Sequence, residues 1–197
     1  MNVSLFFDPK VDLENFQRVL DSSGHTARLL AIRALTPPQL AALFDACAES
    51  DPLSLDYFVP TTEPMHEVIH YGKNSLPAFS SFQKRFCRPD GDVDGALWGY
   101  NHNPKFQEVA IGPGYFVAVP SEKGEVMIDY TQRPPRHPEG WPEIIPNSSR
   151  LGFLVWSGMQ DYCRRVSEHV TIGRAYKGGK PFDAWFALCR HDPAPAA

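Results

Sequence analysis

A chain of 197 residues can enclose one sizeable core and is short for two, so a single domain over residues 1–197 is expected. Hydrophobic residues at 43% and charged residues at 21% fall in the ordinary globular range, which excludes a disordered or fibrous chain. The formal net charge is −4 with no long run of one sign, so nucleic acid and anionic membranes are not expected partners.

The N-terminal segment has no basic, apolar, small-residue leader pattern. No stretch approaches the roughly 18 apolar residues of a membrane helix, so a soluble cytoplasmic protein is expected. Cys47, Cys87, Cys163 and Cys189 are far apart, never in C-x-x-C spacing, and sit beside apolar neighbours; they read as buried thiols. Residues 1–10 and 192–197 read as flexible tails, and nothing in the pattern sets an oligomeric state.

Residues 11–50 carry helical periodicity. Leu13, Phe16 and Leu20 predict a first helix and Thr26 to Ala34 a second. The third is the best specified: Thr36 and Gln39 form a capping box, Pro37 fits the first turn, and Leu35 and Leu40 stand as a hydrophobic staple. Its stripe of Leu40, Leu43, Phe44 and Cys47 must lie on another element, and a sheet is expected there.

From about residue 65 the period shifts towards 2. Strands are predicted over 65–71, 82–88, 96–101, 108–111, 115–119 and 125–131, with a hairpin loop at Ser121 to Gly124. Residues 132–149 are rich in proline and form a loop or strap anchored by Trp141 and Ile145. Leu151, Val155, Met159, Tyr162 and Val166 share one helical face, which predicts a long helix from Ser148 or Ser149 to His169. A closing hairpin follows, 170–177 with 180–190 around Gly178 and Gly179. Counting back from the turn sets Arg174 opposite Asp183 and Ile172 opposite Trp185.

Two motif fragments carry chemistry. His66-Glu67-Val68-Ile69-His70 spells H-E-x-x-H, which on a helix sets two imidazoles one turn apart for zinc, with Glu67 as the group that activates water. Pro64 before it and Gly72, Asn74 and Pro77 after it leave little room for a helix. An extended backbone would send Glu67 to the opposite side from His66 and His70. Asp90-Gly91-Asp92-Val93-Asp94-Gly95 matches the first half of a calcium loop, with Asp90, Asp92 and Asp94 as ligands. Asn101 stands where the bidentate carboxylate belongs, and an acidic turn explains the same residues.

The fold class expected is therefore α+β: N-terminal helices, a mainly antiparallel curved sheet, a long C-terminal helix and a β-hairpin. Clustered aromatics, such as Phe79, Phe82 and Phe86, with the strap suggest a pocket between sheet and helix for a small apolar or aromatic ligand. His70, Arg85, Tyr100, His102, Asp129 and Tyr130 are the candidate ligand-binding residues. The alternatives are a zinc-dependent hydrolase built on Glu67, with a divalent metal as cofactor, and an interaction protein without catalysis. Whether the chain is an enzyme is left open by the sequence.

Overall fold

The computed structural model describes residues 2–77, 80–91 and 95–192. After a short 3-10 turn over Val3–Phe6 come α1 (Leu13–Asp21), α2 (His25–Arg33), α3 (Pro37–Ala46) and the one-turn α4 (Leu55–Phe58). Eight strands follow: β1 (Val68–Asn74), β2 (Ser81–Cys87), β3 (Leu97–His102), β4 (Tyr115–Pro120), β5 (Val126–Asp129), β6 (Met159–Arg165), β7 (Val170–Lys177) and β8 (Lys180–Arg190). Two short helices, α5 (Lys105–Ile111) and α6 (Gly152–Val155), interrupt them. Each strand pairs antiparallel with the next, and β8 returns to β1, His70 facing Arg190 and Asn74 facing Phe186. The sheet is a closed barrel in strand order.

Side-chain alternation builds the wall. Phe86, Leu97, Phe116, Ala118, Val126, Ile128, Cys163 and Leu188 meet in one buried cluster inside the barrel. Three interior glycines, Gly72, Gly99 and Gly173, face Phe82, Phe116 and Phe186 on the neighbouring strands. A Cβ on any of them would collide with that ring. The rings therefore lie flat along the wall and leave space in the middle.

The outward phase is covered as well. Val170, Ile172, Ala187 and Cys189 pack beneath Phe16, Leu20, Ile32, Leu40, Leu43 and Phe44 of α1–α3. Gln39 Oε1 accepts the Thr36 N–H at 2.9 Å, so the capping box holds at the start of α3. Trp98, Tyr100 and Tyr115 are buried beneath Trp141 of the proline-rich strap. The four cysteines are free and buried.

The expected α+β architecture is corrected by closure: the sheet is a barrel, and the helices clothe it instead of capping an open curved sheet. The long helix predicted to end near His169 is α6 followed by β6. In β6, Gln160, Tyr162 and Arg164 alternate with the inward Asp161 and Cys163. Leu151, Val155, Met159, Tyr162 and Val166 satisfy a helical spacing by coincidence, and Gly158 at φ +68° marks the break. Residues 105–111, predicted in part as a strand, form α5. The closing hairpin forms around Gly178 and Gly179, but a bulge shifts its register, so Arg174 faces Trp185 and Ile172 faces Ala187.

One end of the barrel is plugged. Phe58 enters against His70 and Phe86 at ring separations of 5.3 and 5.0 Å, and His70 Nε2 bonds the Phe58 carbonyl at 2.9 Å. Arg88 ties the segment after α4 to the wall through the carbonyls of Thr61 and Val59 at 2.7 and 2.8 Å, and Arg190 bonds the Tyr57 carbonyl. Burial lowers the His70 pKa from 6.5 to about 3, because a charged imidazole has no water there.

Between pH 6.5 and about 3 the unfolded chain therefore holds a proton that folded His70 does not. Stability contributed by the neutral ring is complete above 6.5 and falls as pH falls, by up to ~1.4 kcal/mol per pH unit. His70→Gln should flatten the pH dependence of urea unfolding between about pH 6.5 and pH 5 by that slope; identical slopes would contradict burial of a neutral ring. Gly99→Ala should cost about 1–3 kcal/mol, read as a lower urea midpoint at unchanged m, because the methyl meets the Phe116 ring and the Arg85 carbonyl.

Candidate functional site at the open mouth of the barrel

The end opposite the plug is open. There the C-terminal ends of β1, β3, β5 and β7 and the starts of β2, β6 and β8 surround a cavity of about 250 Å³. Its wall is mostly apolar: Phe82, Ala175, Ala184 and Phe186 from the strands, with Leu154, Val155 and Trp156 leaning in from α6 and its C-terminal cap. Trp156 stacks on Tyr130 with ring centroids 5.2 Å apart, and its Nε1 donates to the Ile111 carbonyl at 3.1 Å, which joins the mouth to the end of α5. Lys177 Nζ donates to the Leu154 carbonyl at 3.2 Å and holds α6 to β7.

A polar cluster is set into this apolar wall. Lys84, only 2% exposed, lies in the inward phase of β2 between Phe82 and Phe86. Its ammonium donates to Asn101 Oδ1 and Asp161 Oδ2, each at 3.0 Å, and to the Tyr130 hydroxyl. Tyr130 in turn donates to Asp161 Oδ2 at 3.2 Å, and Asn101 Nδ2 donates to the Gly114 carbonyl at 3.0 Å. The rings of Tyr130 and Phe186 lie 4.9 Å from Nζ, Phe116 5.4 Å and Phe82 5.6 Å. Burial, reinforced by the Asp161 charge, pushes the Tyr130 phenol well above its usual range and keeps it a donor.

The three ammonium hydrogens thus meet three acceptors, and the Lys84 charge is balanced by Asp161. Asn103, 3% exposed and also lining the mouth, has an Nδ2 with no partner among the described residues. A buried donor left unpaired costs about 1–3 kcal/mol until an acceptor reaches it. Leu76, Leu154 and Phe182 rim the opening and are exposed, with Phe106 and Val109 of α5 and Phe153 of α6 also exposed. Among the described residues, no helix is long and apolar enough to cross a membrane.

Of the six candidate ligand-binding residues, the structure brings Tyr130 to this cavity. His70 is inside the barrel, in the plug. Arg85 lies on the outer face of β2, bonded to Glu67 at 3.1 Å and to Gln83, while Tyr100 packs under Trp141 with 4.8 Å between ring centroids. His102 Nδ1 sits 3.6 Å from Glu108 Oε1. Asp129 closes a turn by accepting from the Thr131 N–H and hydroxyl and from Gln132 Nε2.

The zinc reading is corrected by geometry. Residues 66–70 are not helical: His66 and Glu67 precede β1 and Val68 to His70 form its start, with His70 sealed in the plug, whereas His66 is half exposed and 3.3 Å from Glu63. Glu67 points to the outer wall, bonded to Arg85 and to Trp141 Nε1 at 2.6 Å, so it anchors the strap. Asp90 pairs with Arg136 at 2.7 Å, and Asp92 and Asp94 lie outside the described residues. Among the described residues no group of three or more His, Cys, Asp or Glu could hold a metal ion.

Lys84, Asn101, Asn103, Trp156 and Asp161 were not among the sequence candidates. The available signal was phase: Lys84 falls on the apolar side of Phe82-x-Lys84-x-Phe86, which marks an inward charge. Removing either charge alone, Lys84→Met or Asp161→Leu, should cost about 3–5 kcal/mol by stranding its partner, while the double variant should recover most of that loss. Urea unfolding of the four proteins measures it, and additive losses would mean the pair is not coupled. Compared with models of known protein families and with curated proteins, the chain matches none.

Proposed function

We propose that this barrel binds one small neutral molecule with an aromatic or apolar body and a single polar head, held in the open half of its interior. The observation that carries the reading is an internally neutralised polar cluster at the floor of an apolar cavity, beneath an exposed apolar rim. An engineered cavity of roughly 150 Å³ binds benzene, so about 250 Å³ suits one ring bearing a short substituent. The aromatic wall supplies dispersion and area burial. Asn103 Nδ2, unpaired among the described residues, supplies a donor for a hydroxyl or carbonyl oxygen.

Charge selects against ions. An entering carboxylate would gain attraction to Lys84 and meet repulsion from Asp161 at the same place, while losing its hydration; an entering ammonium meets the mirror image. Benzyl alcohol should therefore raise the melting temperature and show saturation-transfer NMR contact, with benzoate and benzylamine at least about ten-fold weaker, ~1.4 kcal/mol. Ala184→Trp should fill the cavity and abolish the effect of benzyl alcohol. Equal binding by the three compounds, or binding that survives Ala184→Trp, would place the ligand elsewhere.

A further inference from the structure

We propose that Lys84 captures aldehydes as a reversible imine; this rests on the reading of the cavity as a small-molecule site and adds a covalent step to it. Imine formation needs an amine facing an apolar, water-poor space, a base that takes its proton and a donor near the carbonyl oxygen. Lys84 lines the cavity 2% exposed, among four aromatic rings. Asp161 Oδ2 is 3.0 Å from Nζ, and Asp161 Oδ1 carries no hydrogen bond among the described residues. Asn103 Nδ2, buried at the cavity and unpaired among the described residues, supplies the donor for the carbonyl oxygen. Charge balance alone would call for none of the cavity around this pair.

The step balances within the cluster. The Lys84 ammonium passes one proton to Asp161, and the freed lone pair forms the N–C bond to the aldehyde carbon. The carbonyl π pair moves to oxygen, which takes the proton back from Asp161 to give the N-protonated carbinolamine. A second N–H proton leaves by the same carboxylate to the hydroxyl, the C–O bond breaks to release water, and the nitrogen lone pair closes the C=N bond. Aldehyde and lysine ammonium become a protonated imine and one water. Asp161 is an anion at the start and at the end, so the cationic imine keeps the ion pair that Lys84 had.

The test is reductive trapping of the full-length chain with benzaldehyde and cyanoborohydride, followed by peptide mapping. The expected result is one benzyl group per chain on Lys84, formed about ten-fold or more faster than on the exposed Lys180, suppressed by benzyl alcohol and absent in Lys84→Arg. Adducts on exposed lysines with Lys84 spared, while benzyl alcohol still binds, would overturn the imine and leave the binding site standing. No trapping at Lys84 and no binding of benzyl alcohol would overturn both.

Discussion

Pairing of β1 with β8, His70 against Arg190 through Asn74 against Phe186, turns a row of hairpins into a closed wall, and the remaining features follow from that closure. Without it the sheet would have two open edges and an inner face with no enclosed volume. With it, Lys84 and Asp161, 77 residues apart in the chain, meet at 3.0 Å across a space that excludes most water. The ammonium is tolerable there because its hydrogens are matched by acceptors and its charge by one carboxylate.

The interior is divided along the barrel axis by what fills each end. At the plugged end Phe58, Phe86 and His70 pack ring against ring, His70 Nε2 bonds a backbone carbonyl, and His70 Nδ1 is buried with no partner among the described residues. At the open end the rings of Phe82 and Phe186 are laid on Gly72 and Gly173 and line the cavity wall. Dense packing stabilises one half, and the other half is an open cavity with a polar floor beneath apolar walls.

The outer layer explains residues that look chemical in the sequence. Glu67, the would-be base of H-E-x-x-H, receives the Trp141 indole and the Arg85 guanidinium and so pins the proline-rich strap over Tyr100 and Tyr115. On the other side α1–α3 cover β7 and β8. Because both faces of these strands are buried, their sequence carries apolar residues in both phases and no clean alternation.

Local patterns were legible where the physics is local. The three N-terminal helices, the capping box at Thr36 and Gln39, the β4–β5 hairpin, the turn at Gly178 and Gly179 and the burial of the four cysteines follow from periodicity, capping and turn chemistry within a few residues. The lack of a helix at residues 66–70 also followed from the flanking Pro64 and Gly72, although β1 begins only at Val68. Closure, the β-strand identity of 159–165 and the meeting of Lys84, Asn101, Tyr130 and Asp161 were decided only by tertiary structure. A run such as Met159 to Val166 satisfies both the helical and the strand period, and contacts with β5 and β7 choose between them. Which inward residues become neighbours depends on strand order around a circle, and no spacing along a single chain encodes that order.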